Sequence, residues 1–139
     1  MLSDHRQIFD ELFDSVLAEL PEHIHALLEE VPVVVEDYPS PALMHELGLD
    51  ARRSDLCGLH SGIALTHRSV EHSGVLPDRI MLFREPIIRL AGRRRARGRW
   101  GKGSVDSGEL ERQIRITLLH EIGHHFGLDE DDLRELGYA

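Results

Sequence analysis

At 139 residues, 41% hydrophobic and 29% charged, the chain has the size and composition of a single globular domain, 1–139, that can bury a core without cross-links; a disordered or fibrous protein is excluded. Its one cysteine, Cys57, rules out an intrachain disulfide framework and a cysteine-based zinc finger. The net charge of −9 is uneven: residues 89–102 carry seven basic side chains and no acid, so an acidic body wears one basic loop, and a general nucleic-acid binder is not expected.

Ile8, Phe9, Leu12, Phe13, Val16, Leu17 and Leu20 recur at helical spacing, which predicts an amphipathic helix over 4–19, capped by Ser3 or Asp4. Met1 to Arg6 leads into it without an apolar signal core, and no apolar run approaches a membrane span, so a cytoplasmic location is expected. Pro21 suits the first turn of a second helix over 21–30. The β-branched run 31–36 predicts a strand, closed by Pro39 and Pro41, with a helical turn over 42–47 ended by Gly48. Segments 56–60 and 63–67 flank Ser61-Gly62 and predict a β-hairpin. Residues 79–84 predict a strand covered on both faces, and Pro86 opens a short helix through Leu90. The Arg/Gly stretch 91–105 reads as a loop. Asp106 with Glu109 three residues later predicts a capped helix start, and helical spacing then runs from Leu110 to Phe126, where Gly127 stops it. A last helix is expected over 130–137.

The long helix carries His120-Glu121-Ile122-Gly123-His124, in which two imidazoles stand four residues apart with a carboxylate beside the first. Positions i and i+4 share one helix face, so both ring nitrogens can meet one Zn²⁺ at about 2.0–2.1 Å. Glu121 can then stand beside a metal-activated water as its general base. Two ligands leave the site incomplete. Gly127 can take a positive φ and swing the chain back after the helix, which makes Glu130 the foremost candidate for third ligand. Asp131, Asp129 and Glu135 remain alternatives, since acids at the start of a last helix are expected for structural reasons alone.

Thr117 to Phe126, uncharged around its histidines apart from Glu121, resembles the active-site helix of the zincin metallopeptidases. The Gly127 and Glu130 positions resemble the metzincin continuation, where a third His usually stands. Here that position is acidic, and with nine residues after Glu130 no downstream Met-turn is expected. A closer resemblance is to the small bacterial zincin-like metallopeptidases described as minimal zincins. It spans most of the chain: Leu56 to Arg68 is similar to their Gly-Leu-x-x-Gly hairpin, Leu76 to Ile87 to the strand before the basic loop, and His120 to Glu130 with Glu135 to Tyr138 to their ending. The resemblance implies an α+β fold, with N-terminal helices and a small mixed sheet of three or four strands packed on a central active-site helix. It also implies an acidic third ligand.

The expected function is therefore a zinc-dependent peptidase acting on peptide or protein substrates, with His120, His124 and Glu130 as metal ligands and Glu121 as catalytic base. Tyr138, His60 or an arginine are candidates for oxyanion stabiliser. One alternative is a metal-dependent RNA-processing protein: a bacterial ribosomal-RNA maturation endonuclease family shares the His-x-x-x-His, Gly and third-ligand spacing, and Arg93 to Lys102 could grip phosphate. That family lacks the glutamate and places His third, which weighs against it. The other alternative is a latent or inactive metal-binding interaction module. His125 is expected as a core or ligand-supporting group, and Cys57 as a core residue. His23, His25, His45, His67 and His72 are expected at the surface, and Trp100 as a loop anchor.

Overall fold

The computed structural model describes residues 1–50, 55–62, 78–94 and 106–136. Six helices and three strands follow one another there: α1 (Ser3–Glu19), α2 (Glu22–Glu30), β1 (Val33–Glu36), α3 (Pro41–Glu46), β2 (Gly58–Ser61), β3 (Arg79–Phe83), α4 (Arg84–Arg94), α5 (Ser107–His125) and α6 (Glu130–Leu136). The fold is α+β. The sheet has the order β1-β3-β2 and is mixed: Val33 to Glu36 run parallel beside Ile80 to Phe83, while Gly58 to Ser61 run antiparallel beside Leu82 to Arg79. The second strand expected over 63–67, and the basic stretch 95–105 with Trp100, lie outside the described residues; β2 finds its partner in β3.

α5 is the axis of the molecule. It contacts α1, α4, β2 and β3, so it is enclosed on several sides rather than along one stripe. Leu110, Ile114, Leu118 and Ile122 carry the apolar side into a core shared with Phe9 and Val16 of α1, Ile80 and Leu82 of β3, and Ile87, Ile88 and Ala91 of α4. At roughly 1.5–3 kcal/mol for each fully buried aliphatic side chain, those four residues hold the helix more firmly than its intrinsic propensity does. β3 is the only strand of the three with neighbours on both edges. Ile80 and Leu82 enter the main core from one face, while Phe83 is buried on the other and Met81 half-buried.

Several boundaries depart from the sequence expectations. α1 starts after Leu2, and neither Ser3 nor Asp4 caps it. The strand expected to reach residue 84 ends at Phe83, and the helix expected over 86–90 runs from Arg84 to Arg94. Pro86 falls in the first turn, where a missing N–H costs nothing. The Glu85 N–H donates to the Asp37 carbonyl at 3.0 Å, and the Arg84 guanidinium donates to Asp10 at 2.9 Å and to Asp37 at 2.9 Å. These bonds bind the helix start to α1 and to the turn after β1. Ala91, fully buried, continues the apolar side past the expected end.

At both ends of α5 the expectation and the structure agree. Asp106 accepts from the Glu109 N–H at 2.9 Å and starts the helix. Gly127, at φ +82°, ends it. The Gly127 N–H donates to the His124 carbonyl at 2.9 Å and the Leu128 N–H to the Gly123 carbonyl at 3.0 Å, the paired bonds of a Schellman turn. The chain is thereby folded back toward its last helical turn.

Candidate metal centre

The fold-back brings α6 over the end of α5. Glu130, first residue of α6, lays its Oε1 3.3 Å from His120 Nε2 and 3.0 Å from His124 Nε2, and the two ring nitrogens stand 3.1 Å apart. The imidazoles meet edge to face, with centroids 4.7 Å apart and 79° between planes. A tetrahedral ion with bonds of about 2.0–2.1 Å spaces its ligand atoms about 3.3 Å apart. The three observed separations match a shared cation.

His124 is held in the tautomer that such an ion requires. Its Nδ1 lies 3.2 Å from the Leu128 carbonyl, an acceptor only, so Nδ1 carries the proton and Nε2 keeps its lone pair. Leu128 is where the Schellman turn puts it, so the turn that redirects the chain also orients a histidine.

The other acids are employed elsewhere. Asp129 accepts from the Asp132 N–H at 2.9 Å and Asp132 from the Asp129 N–H at 3.1 Å, a reciprocal cap on α6. Asp131 pairs with Arg134 at 3.1 Å. Among the described residues, Glu130 is the carboxylate that joins His120 and His124 in a metal-sized group; Glu135 does not.

Glu121 is buried on the side of α5 that faces β2. Burial pushes its carboxyl above the ordinary range, while His120, His124 and a backbone hydrogen bond from His60 oppose that shift. Its carboxylate lies 3.9 Å from His120 Nε2, adjacent to the metal-sized group without belonging to it. Gly58 makes this approach possible. A Cβ there would stand 2.9 Å from Thr117 Cγ2 and 3.1 Å from both Glu121 Cγ and the Met81 carbonyl, so β2 lies on α5 at a distance only glycine permits. A glycine inside a strand is the one sequence signal that could have marked this contact. A cleft of about 470 Å³ opens above these groups, walled by Leu56, Leu59, His60 and Gly62 on one side and by His120, Glu121, His124 and Glu130 on the other.

A family model described as zincin-like metallopeptidase matches residues 28–138. The chain belongs to that family. No curated protein matches it at a significant level. His125 is buried, as expected, and its neighbour in space His60 is half-buried, with its Nε2 turned toward Asp78. Cys57 is half-buried against the core, and His23, His25 and His45 are at the surface. Tyr138, His67 and His72 lie outside the described residues. No helix among the described residues is long and apolar enough to cross a membrane.

Proposed function

We propose that this chain works as one zincin-like domain and hydrolyses peptide bonds, with Zn²⁺ held by His120, His124 and Glu130 and with Glu121 as general base. The observation that carries the reading is the near-equilateral triangle of the three candidate ligand atoms, with sides of 3.0 to 3.3 Å. A bound Zn²⁺ supplies Lewis-acid activation of water and polarises the scissile carbonyl.

The protein's own residues do the rest. Glu121 takes a proton from the attacking water as the C–O bond forms, then delivers it to the leaving amine as the C–N bond breaks. Its raised pKa suits the first task, because a more basic carboxylate takes the proton from water more readily. The His60 backbone bond keeps the carboxylate aimed while it is charged. β2 is an outer strand of the described sheet and borders the cleft, so an extended peptide can run alongside it, with Leu56 and Leu59 supplying apolar contacts.

The test is cleavage of a mixed peptide library by zinc-loaded protein, read by mass spectrometry, beside Glu121→Gln at equal zinc occupancy. Loss of the general base is expected to lower turnover by about 10²–10⁴-fold. Equal cleavage by the two proteins overturns the assignment of Glu121.

A further inference from the structure

The side of α5 that faces β2 carries Thr117, Glu121 and His125 at four-residue spacing. Gly58 rests on the first two. Two residues further along the same side of β2, His60 meets His125, ring centroids 5.4 Å apart and 76° between planes. Asp78, just before β3, brings its Oδ1 to 3.6 Å from His60 Nε2. One ligand atom from each of His60, Asp78 and His125 lies within 4.8 Å of the other two, and His60 Nε2, Asp78 Oδ1 and His125 Nδ1 are all buried.

We propose that His60, Asp78 and His125 form a second metal site, distinct from the one at His120, His124 and Glu130, for a divalent ion of the Zn²⁺, Co²⁺ or Ni²⁺ class. Two imidazoles and one carboxylate are a donor set those ions accept. The His60–Asp78 separation of 3.6 Å is too long for a hydrogen bond. It does suit two atoms bonded at about 2.0–2.1 Å to one ion, at an angle of about 120°. The site adjoins the last turn of α5, where the helix carbonyls favour positive charge. Gly62, at φ +117°, leaves the room that Asp78 occupies, since a Cβ there would collide with its carboxylate.

The three ligands come from β2, from the entry to β3 and from α5. An ion between them ties the end of β2 to the helix, at the strand residue whose backbone bonds Glu121. The role is that of a structural cation, and it holds whether or not the chain is a peptidase.

Metal content of purified, Zn²⁺-loaded protein, measured by mass spectrometry after removal of loosely held ions, tests this directly. Wild type is expected to keep two equivalents. His120→Ala/His124→Ala is expected to keep one. Adding Asp78→Asn or His60→Gln to that variant removes it, together with the zinc-dependent rise in its melting temperature; circular dichroism checks that each variant is folded. A wild-type count of one that vanishes in His120→Ala/His124→Ala overturns the second site and leaves the first standing. A count of one that survives that change but is lost with Asp78→Asn supports the second site and defeats the first. Metal in His120→Ala/His124→Ala that neither added substitution reduces is adventitious and overturns the proposal.

Discussion

Gly58→Ala tests the link between fold and site with the smallest possible change, one methyl group. The glycine is outside the left-handed region, so alanine brings no backbone strain and its effect is steric. The new Cβ would meet Thr117 Cγ2 at 2.9 Å, Glu121 Cγ at 3.1 Å and the Met81 carbonyl at 3.1 Å. The carbonyl belongs to the neighbouring strand and cannot rotate away, so β2 must lift from α5 or the two side chains must shift. Overpacking of this kind costs typically 1–3 kcal/mol. With an unfolding entropy of about 2.1 cal/mol/K per residue, 2 kcal/mol corresponds to a fall in Tm of about 7 °C for a chain of this length. The second effect is on chemistry. If a misplacement of 1 Å costs about 10²-fold, a shift of a few tenths of an ångström at Glu121 lowers kcat by roughly threefold to tenfold. Calorimetry gives the first quantity, and peptide cleavage at 25 °C, where the variant remains folded, gives the second. A variant with wild-type Tm and wild-type kcat refutes the close approach of β2 to α5.

Gly127→Ala forces a left-handed conformation on an L-residue and is expected to cost about 1–2 kcal/mol; because the same turn carries Leu128 and Glu130, calorimetric titration should also show weaker zinc binding. Glu130→Ala is expected to weaken zinc at least 100-fold, as measured by competition with a chelator, whereas Asp131→Ala leaves affinity within about twofold, because Asp131 faces Arg134 instead. A further prediction concerns acid. The Arg6 guanidinium, with help from Arg84, holds the Asp37 carboxyl below its ordinary value. A carboxylate with a lower pKa in the folded state than in the unfolded state stabilises above the unfolded value, about 3.9, and that contribution is lost as pH falls through the folded value. Denaturant melts should therefore find Asp37→Asn weaker than wild type by about 1 kcal/mol at pH 7, with the difference closing below about pH 4. A gap that is constant with pH counts against the ion pair.

What could be read in advance follows the range of the interactions involved. The α5 helix, its Asp106 cap and its Gly127 stop are set within a few residues, and so is the facing of His120 and His124. The Gly127 turn puts Glu130 ahead of Asp129 and Asp131, but the bonds that occupy those two, a cap on α6 and an ion pair with Arg134, arise only once the chain has turned. Arg84 reads as a strand residue until its partners are known, and they lie 74 and 47 positions away at Asp10 and Asp37. No periodicity encodes such a pairing, and with it α4 gains a start two residues ahead of Pro86. The contact of β2 with α5 has the same character: Gly58 and Thr117 are distant in sequence and meet only when the sheet is laid on the helix.

Zinc binding as proposed requires one cation shared by His120, His124 and Glu130 beside Glu121. Anomalous diffraction at the zinc edge from zinc-loaded crystals tests it most directly. A peak is expected about 2.0–2.1 Å from both Nε2 atoms and within a similar distance of a Glu130 oxygen, with the Glu121 carboxylate outside bonding range. A peak bonded by Asp129 or Asp131 in place of Glu130, or no peak between the two histidines, contradicts it.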